Sequence, residues 1–100
     1  MPVRREVEIE ASPEEVWETI ATDEGRERWL GDDDAGRRIL VESADAPSRL
    51  VWWWWEGDGE ATRVEFLVVP APGGARVVVA EEAPAVPLAR LAAACALVAA

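Results

Sequence analysis

The sequence predicts an α+β fold. A single antiparallel sheet of about five strands carries two short helices after its first strand and one helix at the end, in the order β-α-α-β-β-β-β-α. Three observations carry this reading. A strand gives way to a capped helix at Ser12, four alternating segments separated by turn residues follow from Arg37 to Glu81, and an apolar stripe at helical spacing closes the chain. The 100 residues are read as one domain spanning 1–100, long enough for a single core with a modest stability reserve.

In the first segment Val3, Val7 and Ile9 fall on one face and Arg4, Glu6, Glu8 and Glu10 on the other, the period of a half-buried strand. At Ser12 the period changes. Ser12 is a helix cap, Pro13 suits a first helical position where its missing N–H would have no partner, and Glu15 completes a capping box. Val16, Trp17 and Ile20 then share one helical face. Asp23 is read as the cap of a second helix ending at Leu30, and Gly31 to Gly36 as an acidic loop.

Four strands are expected at Arg37 to Ser43, Arg49 to Glu56, Ala61 to Val69 and Ala75 to Glu81. The turns between them are Ala46-Pro47-Ser48, then Glu56-Gly57-Asp58-Gly59 with an Asp-Gly pair that tolerates positive φ, then Pro70 through Gly74. The last helix starts near Pro84 or Pro87 and aligns Leu88, Leu91, Cys95 and Val98.

The spacing of Ile9, Ala11, Pro13, Glu14, Val16, Trp17 and Trp29 resembles the START-like helix-grip superfamily (SRPBCC), and within it the heat-shock-protein-90 ATPase-activator-like family. The stretch Pro47 to Trp52 and the hairpin from Thr62 to Glu81 extend the resemblance along the chain. The resemblance implies a curved sheet with the C-terminal helix packed across it, and a space between helix and sheet that commonly holds small apolar molecules. Two departures stand out. The segment from Leu30 to Gly36 is shortened where the family usually has another pair of strands, and the closing helix is short. The missing pair would form the edge far from the first strand, which leaves Arg37 to Ser43 as an unprotected edge.

Composition removes several functions. The net charge of -10 argues against nucleic acid and against an anionic membrane surface, both of which are bound by cationic patches. The chain has no Lys, His, Tyr, Asn or Gln, and every positive side chain is Arg. Schiff-base chemistry, a His-dependent triad, a His-ligated metal and a Tyr or His general acid are thereby excluded. Carboxylates, Cys95 and Arg are the remaining means of catalysis, and the reading leans to a non-enzyme. Such a Lys-free, Ala-, Val-, Glu- and Arg-rich chain also points to a high-GC bacterial genome.

Cys95 is alone, so no internal disulfide can form and a reducing cytoplasm is expected. Glu6, Glu8 and Glu10 interrupt any apolar signal core, and the tail from Pro87 is shorter than the roughly 20 residues a membrane span needs.

Trp52-Trp53-Trp54-Trp55 is the strongest local signal. Alternation puts Leu50, Trp52 and Trp54 on one face and Val51, Trp53 and Trp55 on the other. The family's pattern implies that Leu50, Trp52 and Trp54 point inward; Trp53 and Trp55 then lie on the open face near Leu67, Val69 and Val78. Core packing with cross-strand aromatic pairing is the plain account of the run. An inward ligand wall or an outward contact surface are the sharper ones. Trp17 reads as the anchor of the first helix, and Trp29 falls where the family's cavity mouth lies.

Glu81 alternates in phase with Val77 and Val79, so it faces inward, and Arg5 on the first strand is its natural partner. A satisfied ion pair is the plain reading and a polar hook for a ligand the alternative. Asp32, Asp33 and Asp34 lack the ligand ladder of a calcium loop and read as solvated. Cys95, among Ala and Leu, is expected to be an inert thiol with a raised pKa.

These residues define two candidate sets. A ligand-binding set comprises Trp29, Trp52, Trp54, Phe66, Val79, Glu81 and Leu91, and an interaction surface comprises Trp53 and Trp55. No catalytic residue, metal ligand or cofactor site is assigned. The expected function is a non-catalytic domain for a small hydrophobic molecule. The alternative is a protein-interaction module of the chaperone-activator kind, with a protein partner or a weak homodimer. A cyclase- or aromatase-type enzyme ranks last. A void of about 300 Å³ or more would favour the ligand, and a filled interior the interaction module.

Overall fold

A computed structural model describes residues 2–30, 37–82 and 85–99. The chain runs β1 (Val3–Ile9), α1 (Pro13–Ala21), α2 (Asp23–Leu30), β2 (Arg37–Asp45), β3 (Arg49–Glu56), β4 (Thr62–Ala71), β5 (Gly74–Glu81) and α3 (Leu88–Ala99). The strands form one sheet in the order β1-β5-β4-β3-β2, with every neighbouring pair antiparallel. The expected fold class is therefore found, with β2 on the edge away from β1. The loop expected at residues 31–36, its three aspartates and Pro84 lie outside the described residues, as does the side chain of Val98.

The α1 cap follows from local chemistry. Ser12 has extended backbone, its hydroxyl accepts from the Glu15 N–H at 3.2 Å, and its carbonyl accepts from Val16 N–H at 3.0 Å. Among the described residues only the serine half of the capping box is formed: no hydrogen bond joins the Ser12 N–H to the Glu15 carboxylate, and the buried Glu15 Oε2 has no partner. The α2 cap is Thr22 rather than Asp23. Thr22 ends α1 in an extended conformation and so also opens α2. Its hydroxyl accepts from Gly25 N–H at 3.0 Å while donating to the Glu18 carbonyl at 2.6 Å. Asp23 pairs instead with Arg26, one turn on.

Two turns differ in detail from the sequence reading. In the β3–β4 turn the residue with positive φ is Gly57, at 52°, and not the Asp58-Gly59 pair. The β4–β5 hairpin closes on Pro72 and Gly73 alone, since Ala71 pairs with Gly74. Pro70 is thus a strand residue. It is tolerated because β3 pairing stops at Arg49–Leu67, leaving that side of β4 without a ladder to interrupt. Gly74 has φ 147°, and a Cβ there would lie 2.4 Å from the Ile9 carbonyl oxygen. Glycine lets the hairpin sit directly against the end of β1. The β2–β3 connection contains a cis Ala46–Pro47 bond.

The helices cover one face of the sheet. The third packs on α1, α2 and β1, and α1 also reaches β4 and β5. Between them and the sheet lies a core of Ile9, Val16, Ile20, Trp29, Leu50, Trp52, Trp54, Val64, Phe66, Val77, Val79, Leu91 and Cys95, among others. Leu50, Trp52 and Trp54 therefore point inward as expected. Trp17 is only partly buried at the core's margin.

Val51 is the surprise. It lies on the outer face and yet is fully buried. Its cross-strand neighbours explain this: Val51 pairs with Glu65, Arg49 and Glu65 join at 2.6 Å, and Arg63 and Glu42 join at 3.0 Å. Val51 thus sits at the centre of the outer face, between Ser43 and Glu65 on the neighbouring strands and beside these ion pairs.

Candidate functional site

Strand β3 and helix α2 build an aromatic wall on the inner face. Trp52 is placed by strand alternation, with Phe66 on β4 and Trp54 two residues on. Trp52 meets Phe66 edge-on at 4.7 Å between centroids and Trp54 at 5.5 Å. Trp29, from the last turn of α2, stacks on Trp52 at 6.4 Å and 26° and meets Phe66 edge-on. Its indole N–H donates to the Thr19 carbonyl at 3.1 Å, which locks α2 to α1. Such ring pairs contribute about 0.5–1.5 kcal/mol each beyond area burial.

The Trp52 N–H has no such partner. It is buried and makes no hydrogen bond, so the wall contains an unsatisfied donor, a costly state for a buried polar group.

At its open end the wall borders a pocket of about 310 Å³ lined by Arg37, Trp54, Glu56, Glu60, Thr62 and Ala85, among others. The strand register places this site. Arg37 pairs with Glu56, and Thr62 with Trp54, so these inward-phased residues close the ends of β2, β3 and β4 together. The Arg37 guanidinium lies 4.3 Å from the Trp54 ring centroid and 3.8 Å from the Glu56 carboxylate. The site thus offers a cation-covered aromatic wall, a hydroxyl and a carboxylate rim. It suits a small planar apolar body with a polar atom at its edge.

Of the ligand-binding set read from sequence, Trp29, Trp52, Trp54 and Phe66 are brought together in the wall. Val79 and Leu91 are fully buried in the core behind it. Glu81 stands apart. Its side chain is 1% exposed, and its carboxylate accepts from Arg5 at 2.5 Å, from Ala85 N–H at 3.0 Å and from Val86 N–H at 3.2 Å. Arg5 also donates to the Val86 carbonyl at 2.7 Å. The pair clamps the segment that leads into α3.

Arg37, Glu56 and Thr62 were not selected from sequence. A usable signal existed: each is a polar residue in phase with the inward face at a strand end, the pattern of a cavity mouth.

On the outer face Trp53 and Trp55 are half-buried. The Trp53 N–H donates to Glu42 at 2.9 Å, and Arg63 donates to the same carboxylate. Hydrogen bonds from Arg63 first, and then Trp53, hold the Glu42 carboxyl at about 2, well below its ordinary 4.5. The Cys95 thiol is fully buried, and burial pushes its pKa up. Among the described residues no cluster of three or more metal-ligating side chains occurs, and no helix is long and apolar enough to cross a membrane.

No protein-family model matches the chain, and no curated protein matches it. Solved structures do. DynU16, a protein of the dynemicin biosynthetic locus, is similar over 92% of this chain with a TM-score of 0.76 and 21% identity; the chain spans 46% of DynU16's length. Ms6760 from Mycobacterium smegmatis is similar over 99% of this chain and 90% of its own, at TM-score 0.76 and 10% identity. The Aha1 dimer from Colwellia psychrerythraea is similar over 97% of this chain and 86% of its own, at TM-score 0.71 and 15% identity. These likenesses show the fold alone: one open antiparallel sheet with helices packed across one face.

Proposed function

We propose that this chain is a non-catalytic helix-grip domain that binds a small hydrophobic ligand at the Trp54 end of its aromatic wall. The observation that carries the reading is the 310 Å³ pocket bounded by Trp54, Arg37 and Thr62, within the usual size range of small-molecule sites. The deep space that such a fold commonly offers is here occupied by Trp29, Trp52 and Phe66, so the ligand site moves outward to the strand ends. Residue types support the absence of catalysis, since no His, Lys or Tyr is available for proton transfer.

Titration with N-phenyl-1-naphthylamine, a neutral apolar fluorophore, tests this. Its emission should rise on binding, and Thr62→Trp should fill the pocket and weaken binding about tenfold or more with the unfolding midpoint unchanged. Equal affinity in the filled variant would remove the pocket from consideration.

A second reading, a protein-interaction module, is favoured by the filled space between helices and sheet, where Trp29, Trp52 and Phe66 pack together, and by apolar side chains on the sheet edge. Leu40 is 61% exposed and Val41 42% exposed on the edge strand β2.

A further inference from the structure

We infer that β2 is a self-recognition edge, on which a second copy of this chain pairs antiparallel about a two-fold axis at Leu40. Among the described residues β2 is the last strand of the sheet, so its outer side presents backbone N–H and C=O groups with no neighbouring strand there. Edge strands are usually blunted by Lys, Pro or a bulge. Residues 37–41 contain neither Lys nor Pro, Arg37 and Arg38 are the charges that blunt them, and the bulge in β2 falls at Glu42, between Val41 and Ser43. A regular segment is therefore left open.

The segment reads Arg38-Ile39-Leu40-Val41-Glu42. About Leu40 it is self-complementary in charge and in polarity. Antiparallel pairing of two copies sets Leu40 opposite Leu40, Ile39 opposite Val41 twice, and Arg38 opposite Glu42 twice. A shift that centres Val41 would set Leu40 against Glu42 and put the bulges beside the axis. Charge therefore selects the first register, which keeps the bulge residue Glu42 at the ends of the paired segment and away from the axis.

Each side chain also has a place in the extended sheet. On the outer face Leu40 already pairs with Trp53, so the dimer would carry a continuous row of Trp53, Leu40, Leu40 and Trp53. On the inner face Val41 pairs with Trp52 and Ile39 with Trp54. The Val41–Ile39 contacts would then join the aromatic walls of the two copies. Arg38 and Glu42 are both exposed. Glu42 already accepts three hydrogen bonds, from Trp53 Nε1, Arg63 Nε and Arg63 Nη2. A carboxylate offers about four acceptor positions, which leaves one for the partner's Arg38.

The contact is small. Five residues span about 17 Å of strand, well short of a standard interface of about 1,600 Å², and each copy carries a charge of -10. The dimer is accordingly weak, and salt strengthens it by screening the long-range repulsion over about 8 Å at physiological ionic strength.

Sedimentation equilibrium of the 100-residue chain, at rising concentration and at low and high salt, reads this directly. Wild type should show a monomer–dimer equilibrium that shifts toward dimer with salt. Leu40→Lys, a change at an exposed site, should raise the dissociation constant about tenfold or more with the fold intact by circular dichroism. The register is read by mild oxidation in a Cys95→Ala background. Two opposed residues on paired strands lie about 4.5–5.5 Å apart between Cα atoms, within disulfide reach, so Leu40→Cys should link to itself and Arg38→Cys should not. Monomer throughout, an unaffected Leu40→Lys dimer, or self-linking at Arg38→Cys in place of Leu40→Cys would each overturn the proposal.

Discussion

Trp29 lies stacked on Trp52, with 6.4 Å between ring centroids and 26° between planes, and its N–H is spent on the Thr19 carbonyl. One residue therefore couples α2, α1 and the sheet. Truncation should act on all three contacts together. Trp29→Ala is expected to cost about 3–5 kcal/mol of stability. Trp29→Phe keeps much of the ring packing but loses the hydrogen bond, and should cost about 1–2 kcal/mol. Urea denaturation followed by circular dichroism checks both, and a Trp29→Ala loss below 1 kcal/mol would show that the wall is not part of the core.

Glu81→Gln should destabilise the chain by about 1.5–3 kcal/mol. Both carboxylate oxygens accept hydrogen bonds, from Arg5, Ala85 N–H and Val86 N–H. An amide supplies one acceptor and turns a donor toward one of these donors. Glu81 itself does not line the pocket and touches it only through the lining residue Ala85, so N-phenyl-1-naphthylamine affinity should stay within about threefold of wild type at temperatures where the variant is folded. Loss of binding without loss of stability would make Glu81 a ligand contact instead.

Much of this arrangement is legible from the strands because one buried face imposes a period of two. That period placed Arg5 and Glu81 in phase, and it separated Trp52 and Trp54 from Trp53 and Trp55. Features that depend on partners distant in sequence were not legible. Val51 is buried at the centre of the outer face beside ion pairs reaching across three strands, which alternation does not encode. The α2 cap was misplaced by one residue because Thr22 serves two helices at once, a role set by backbone geometry and not by residue type. The pocket was missed for a related reason. Arg37, Glu56 and Thr62 are unremarkable in sequence and become a site only when the register aligns three strand ends.

The Glu42 carboxyl should titrate with a midpoint of about 2 in the folded chain, against an ordinary value of 4.5. Its folded pKa is depressed. The stabilisation it provides is therefore complete above 4.5, declines as pH falls below that value, and is lost as pH passes through about 2. Carboxyl-carbon NMR should show the low midpoint, and the Trp53 indole N–H signal should move with the same midpoint. Glu42→Gln should abolish that movement. A midpoint near 4.5 would mean that Arg63 and Trp53 do not hold this carboxylate in solution.

The proposed ligand site is tested most directly through the indole N–H signals of the six tryptophans, assigned by single Trp→Phe variants and followed during titration with N-phenyl-1-naphthylamine. The wall-end site predicts that the Trp54 signal shifts most and saturably. Trp52 should follow through ring contact, and Trp53, on the opposite face and bonded to Glu42, should stay still. A saturable shift at Trp53 with Trp54 unmoved, or no shift at any indole while the probe binds, would contradict the account.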